Sequence, residues 1–216
     1  PIHTLVLRGA ERPKEAHDVL QGFAGRADVK TIELAPKLYD GISPVEHGVG
    51  ALAEIAYATP PWPDQIVDDA IYLDNVQDPG NVGTLLRTAA AAGVRHAITG
   101  PGCAFLWAPK VMRAAMGAHF VLGLYEQVTL EALRSAFKGD VLAADAASGS
   151  CLFKADLRRQ PALWLFGGEG RGLSAQALEL ADHRVHIEID TRVESLNVGA
   201  AAAVCLFEQW RQRANA

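Results

Sequence analysis

Cysteine is scarce in the 216 residues: Cys103, Cys151 and Cys205 lie far apart and form no C-x-x-C pair. That excludes a disulfide framework and a cysteine zinc site, and it fits a reducing cytoplasm. No apolar run approaches the roughly 18 residues that a membrane-spanning helix needs, so no membrane association is expected. The opening Pro1-Ile2-His3-Thr4 shows no basic segment followed by an apolar one, and no secretory signal is expected. Positive charge is also short. With 20 Lys+Arg against 25 Asp+Glu the formal charge is -5, which argues against indiscriminate coating of nucleic acid but leaves room for a local RNA site. His96, His119, His183 and His186 lack the spacing of a metal site, so no metal is expected. No nucleophile elbow is present, because Gly149-Ser150-Cys151 lacks both outer glycine partners of G-x-S-x-G.

What the chain does have is a globular composition, 50% hydrophobic and 21% charged. Thr59-Pro60-Pro61-Trp62-Pro63-Asp64 forbids a continuing helix and marks a seam. Residues 1–65 form a small α/β piece with its linker: a strand at 4–7, a helix at 13–24 and a strand at 29–34. About sixty residues make a marginal core, so this piece should lean on the rest or on a partner. Residues 66–216 alternate regularly. Strands are expected at 70–73, 96–99, 119–124, 141–144, 162–166 and 184–189. Helices are expected at 81–92, 109–116, 130–137 and 175–180, with a last one from about Ser195. Such alternation indicates a mostly parallel sheet with helices on both faces.

In such a sheet ligands bind beyond the carboxyl ends of the strands, which singles out three loops. The first is Asp78-Pro79-Gly80-Asn81-Val82-Gly83-Thr84-Leu85-Leu86-Arg87. With Asn81 as cap, Thr84, Arg87 and Ala91 share a helix face, and the guanidinium can address a phosphate or carboxylate. A solvated arginine on a capped helix accounts for the same pattern. The second is Gly167-Gly168-Glu169-Gly170-Arg171-Gly172, following an apolar strand, where glycines let backbone approach a ligand. It does not satisfy G-x-G-x-x-G and no long helix follows, so a dinucleotide fold is disfavoured. The third runs from Ile187 to Gly199, where Ser195 is a plausible helix cap and Asn197 is poorly explained by capping alone.

Taken together and in this order, the loops resemble the three signature motifs of the SpoU (TrmH-like) family of RNA 2′-O-ribose methyltransferases, of the SPOUT superfamily. Asn81 with Arg87 six residues later is similar to the first motif. Gly167, Glu169, Gly170 and Gly172 are similar to the second, and Ser195-Leu196-Asn197-Val198 to the third. Arg113-Ala114-Ala115-Met116-Gly117-Ala118 is similar to a family segment near the RNA side of the site. Two features depart from the pattern: Glu188 stands where the family usually has proline, and 190–194 is more charged than usual.

The resemblance implies an α/β fold with a C-terminal deep trefoil knot, preceded by a small substrate-recognition domain. It implies S-adenosylmethionine as cofactor, held around Gly167, Ile187 and Leu196, with Gly100 and Ile189 also assigned to it. Asn81, Arg87, Glu169, Ser195 and Asn197 would be the catalytic set. The substrate would be RNA, with ribosomal RNA slightly favoured over transfer RNA, and the protein a homodimer. RNA affinity needs local cations, for which Arg8, Arg12, Lys14, Lys110, Arg113 and Arg171 are the candidates. The alternative function is a non-catalytic RNA-binding or ribosome-assembly module of the same fold.

Overall fold

The computed structural model of the chain describes residues 2–9, 14–23, 26–45, 48–57 and 60–215. Contacts divide it into two compact units, Pro1–Thr59 and Pro60–Ala216. In the first, burial alternates along the second half of β1 (Ile2–Arg8), with Leu5 and Leu7 inside. β1 pairs in parallel with β2 (Lys30–Leu34) and antiparallel with β3 (Ala51–Ile55). Leu20 and Phe23 of α1 (Lys14–Phe23) pack on Leu5, Leu7 and Val29. A further helix, α2 (Pro36–Ile42), starts at a proline, whose fixed φ suits a first helical turn.

The second unit is built on seven parallel strands. In chain order its elements are β4 (Ala70–Asp74), α3 (Pro79–Ala91), β5 (His96–Thr99), α4 (Pro109–Ala115), β6 (Gly123–Tyr125), α5 (Leu130–Ala136) and β7 (Asp140–Ala144). Then follow β8 (Ser150–Cys151), β9 (Ala162–Gly167), α6 (Ala175–Leu180), β10 (His183–His186) and α7 (Val198–Ala214). The strand order is β6-β5-β4-β9-β7-β10-β8. The central strands are apolar throughout because both faces are covered. Ile71, Leu73, Trp164 and Phe166 pack under α3, α4 and α7, while Tyr72, Leu163 and Leu165 pack under α5 and α6. Residues 60–65, grouped with the first part on sequence, belong to this unit, and Trp62 packs edge-on against Tyr125.

Close helix packing depends on particular small residues. A Cβ on Gly83 of α3 would stand 2.4 Å from Ala114 Cβ of α4, and one on Gly199 of α7 would stand 2.8 Å from Thr84 Cγ2 of α3. Buried polar bonds fasten α7: Trp164 Nε1 donates to Gln209 Oε1 at 3.1 Å, and Gln209 Nε2 donates to Leu157 O at 3.3 Å. One turn further along α7, Arg213 forms an ion pair with Asp69.

Several expected boundaries are corrected. α3 begins at Pro79 and is capped by Asp78, whose Oδ1 accepts from Asn81 N at 2.8 Å, so Asn81 lies inside the helix. The strand expected at 119–124 is a 3-10 turn at Ala118–Phe120 followed by β6, because Met116 and Gly117 both turn left-handed. β10 stops at His186 rather than 189. α7 begins at Val198, not Ser195, because Asn197 is its cap.

Candidate active site

β9, β7 and β10 are neighbours, so the loops beyond their carboxyl ends meet. They enclose a cleft of about 570 Å³ together with the start of α7. Gly167 to Leu173 form one wall, Ala144 to Ala147 a second, and Ile187, Ile189, Glu194 to Val198 and Cys205 the rest. The glycine loop is folded tightly: a Cβ on Gly167 would stand 2.1 Å from Gly172 C, and Gly172 N donates to Gly168 O at 3.0 Å. Gly170 and Gly172 have φ of +85° and +66°, which side-chain-bearing residues rarely adopt.

Asp74 at the end of β4 fastens both ends of this loop. Its backbone oxygen accepts from Gly168 N at 2.9 Å and its Oδ2 accepts from Ser174 N at 2.7 Å. Asp74 is absent from the residues singled out in the sequence. The signal available was an acidic residue directly after a buried strand. Asp145 was also missed. Its carboxylate accepts from Ala147 N at 3.0 Å and from the Ser148 hydroxyl at 2.6 Å, shaping the second wall. Cys205 lies at the cleft floor, and burial pushes its thiol up to about 12, which makes it a poor nucleophile.

The three loops are joined by side chains. Asn81 Nδ2 donates to Glu169 Oε1, and Asn197 Nδ2 donates to Asn81 Oδ1 at 2.9 Å. Asn197 Oδ1 accepts from Gly199 N at 2.9 Å and Ala200 N at 3.3 Å, satisfying donors at the start of α7. One directional chain thus runs from the Glu169 carboxylate to the positive end of a helix. Glu169 therefore takes its bond from a side chain, not from the glycine loop's own N–H groups.

The remaining predicted residues are placed as follows. Ser195 and Leu196 line the cleft, as do Gly167, Ile187 and Ile189. Gly100 does not: it directly follows β5, which is separated from β9 by β4, and its Cα abuts Tyr72, whose Oη would lie 2.1 Å from an added Cβ. Arg87 is exposed on α3, outside the lining of the cleft, with no hydrogen-bond or ion-pair partner among the described residues. Lys110 and Arg113 are exposed on α4, and Arg171 is exposed on the glycine loop. Arg8 is already neutralised: Nε and Nη2 donate to Asp40 Oδ1 and Oδ2 at 2.8 and 3.0 Å. That pairing lowers the Asp40 carboxyl below its usual range and removes Arg8 as a free cation. Lys14 is exposed at the start of α1, and Arg12 lies outside the described residues. The charged loop after β10 pairs internally, where Arg192 bonded to Asp190 brings that carboxyl down to about 2. Among the described residues, no group of three or more His, Cys, Asp or Glu is placed to hold a metal, and no helix is long and apolar enough to cross a membrane.

Residues 69–207, which carry the cleft and all three loops, match the model of the SpoU rRNA Methylase family. The chain belongs to that family. It is 34% identical over 222 residues to the 23S rRNA (guanosine-2′-O-)-methyltransferase RlmB of Bordetella pertussis, an alignment covering 98% of this chain and 90% of that one. It is 39% identical over 146 residues to an uncharacterized tRNA/rRNA methyltransferase of Synechocystis, covering 66% of this chain. The chain spans about half the length of that second relative, 53%. Among solved structures, the SpoU methyltransferase AviRb of Streptomyces viridochromogenes in complex with AdoMet superposes with a TM-score of 0.80 at 28% identity, covering 100% of this chain and 85% of that one. The AdoMet-bound rRNA methyltransferase of Sinorhizobium meliloti gives 0.80 at 26%, covering 97% and 80%. In this SpoU-family chain, the links between Asn81, Glu169 and Asn197 hold three loops to one another beside a single cleft.

Proposed function

We propose that this SpoU-family chain is an S-adenosylmethionine-dependent methyltransferase acting on a ribose 2′-hydroxyl of ribosomal RNA. The observation that carries the reading is the hydrogen-bonded chain Glu169–Asn81–Asn197, which joins all three motif loops at the cleft. The cleft suits the cofactor. It falls within the roughly 300–1,000 Å³ of small-molecule sites, its glycine backbone is bare, and Ile187, Leu196 and Val198 offer apolar walls. Gly167, Ile187, Ile189 and Leu196 would hold it, and the polar edge at Ser195 would face its charged portion.

S-adenosylmethionine supplies, when bound, an electrophilic methyl carbon on a sulfonium. Held there, it would offer that carbon to the ribose 2′-oxygen and leave as the neutral thioether, and the 2′-proton would need an acceptor. A guanidinium is not deprotonated in proteins, so Arg87 is no general base. Instead it binds the phosphate beside the target ribose and favours the developing alkoxide, with that phosphate available to take the proton. Asn81, Glu169 and Asn197 position the loops around the reacting atoms.

The exposed position of Arg87, outside its own chain's cleft and without a partner among the described residues, supports a homodimer in which both copies contribute to each site. Membership of the SpoU family supports a C-terminal deep trefoil knot, with which the order β4-β9-β7-β10 is compatible. Residues 1–59 would serve RNA recognition, and Lys14, Lys110, Arg113 and Arg171 would supply cations, with binding that weakens as salt rises. The test is transfer of labelled methyl from S-adenosylmethionine to unmodified ribosomal RNA and transfer RNA, assayed separately. Transfer to the ribosomal pool that falls about 100-fold or more in Arg87→Ala supports the reading. Equal transfer by Arg87→Ala contradicts it.

A further inference from the structure

Beside the cleft, and sharing Gly168, Glu169 and Arg171 with it, lies a smaller recess of about 250 Å³ completed by Asn75 and Gln77. Neither of those two residues has a part in the transfer as described above. Asn75 directly follows β4 and has φ of +56°, a left-handed turn that asparagine adopts more readily than most residues with a side chain. Its surroundings enforce that conformation. On one side Leu73 O accepts from Gly100 N at 2.9 Å and from Cys103 Sγ at 3.1 Å; on the other, Val76 N donates to Cys103 Sγ at 3.3 Å and Ala104 N to Val76 O at 2.9 Å. Two glycines leave room for it: a Cβ on Gly102 would stand 2.4 Å from Asn75 Oδ1, and one on Gly168 would stand 2.2 Å from Asn75 O.

The hydrogen bonds on the recess wall are incomplete in a patterned way. Gln77 Nε2 donates to Asn75 Oδ1 at 3.1 Å. That bond orients both carboxamides and leaves Asn75 Nδ2 as a donor and Gln77 Oε1 as an acceptor, without partners among the described residues. Glu169 adds a further acceptor, since its Oε1 is taken by Asn81 and its Oε2 is free among those residues. One donor with two acceptors is the complement of the guanine Watson–Crick edge, which presents O6 as acceptor and N1–H and N2–H as donors. The recess is smaller than a site for a whole drug-sized ligand, and Arg171 at its rim suits a phosphate. Splayed-out bases read on their Watson–Crick edge are the usual targets of sequence-specific RNA recognition.

We propose that this recess is the base subsite for the nucleotide that is methylated, that the base is guanine, and that Asn75 and Gln77 read it. The inference rests on the methyltransferase reading and narrows its substrate. The test measures transfer to a ribosomal RNA fragment by the full chain, by Asn75→Gly, which keeps the left-handed backbone, and by Gln77→Leu, which keeps the bulk of an exposed side chain. The expected result is a KM for RNA raised about tenfold or more in each, with S-adenosylmethionine affinity within about twofold of the parent. A merely structural role would move cofactor affinity too, because Gly168 and Glu169 are shared with the cleft. Inosine at the methylated position lacks the N2 amino group and should lower kcat/KM several-fold. An unchanged KM in both variants, or a methylated nucleotide other than guanosine, overturns the subsite while leaving the methyltransferase reading standing. Absence of any transfer by the parent chain overturns both. Should Asn75→Gly fail to fold, Gln77→Leu and the inosine substrate decide the matter.

Discussion

Arg87 is exposed on α3 with no anion to neutralise it among the described residues, although carboxylates outnumber cations in the protein. If its task is a two-pronged grip on phosphate, Arg87→Lys keeps the charge but loses the fork. Turnover should then fall about tenfold or more while calorimetry finds S-adenosylmethionine binding unchanged; near-normal turnover would sink the phosphate role. The Glu169–Asn81–Asn197 chain makes a second prediction. Asn81→Asp sets two carboxylates face to face and should weaken cofactor binding about tenfold. Adding Glu169→Gln reverses donor and acceptor across the same contact and should restore most of the loss, which a double-mutant cycle reads as coupling. These residues were legible in the sequence as motif positions, but their links were not. Asp78 and Asn81 are both capping types, as are Ser195 and Asn197, and local spacing did not choose between them. Pro79 at the first helical position was the signal that favoured Asp78.

At the scale of elements, the helices and the buried strands of the second unit were readable because apolar runs between turn formers leave little choice. β8, of two residues, was not, because so short a strand has no periodicity and exists only through its pairing with β10. Nor was the break at Met116 and Gly117, where a left-handed methionine departs from its usual preference. α3 and α4 approach closely only because position 83 has no side chain. Gly83→Ala should therefore destabilise the protein by about 1–3 kcal/mol, the usual cost of forcing extra atoms into a packed contact. A thermal melt would show a fall of roughly 2–4 °C per kcal/mol, and an unchanged melt would mean that the helices slide apart without cost. Asn197→Ala removes the cap of α7 and should cost about 1 kcal/mol, and it should also loosen cofactor binding because Asn81 loses its donor.

For the whole molecule, the strand order was the part that the sequence hid. Which strands pair is decided by contacts between distant segments, and β9 inserts between β4 and β7 with no local mark of doing so. The C-terminal helix then lies over the sheet, and its Glu208 is held by Arg211 and Gln212, which bring that carboxyl down to about 2. Because this folded value lies below the ordinary one, the ionised form favours the native state. Its contribution is present above about pH 4.5 and is lost as pH falls towards 2. Glu208→Gln should therefore flatten the acid side of the melting-temperature profile; a profile with the same slope would show that Glu208 adds nothing to acid stability. The account as a whole turns on which atom receives the methyl group. Nucleoside mass spectrometry of ribosomal RNA treated with the protein and S-adenosylmethionine decides it. A ribose-methylated nucleoside, absent from the Arg87→Ala reaction, is the predicted result. Methyl on a base, or none on RNA, would contradict the account.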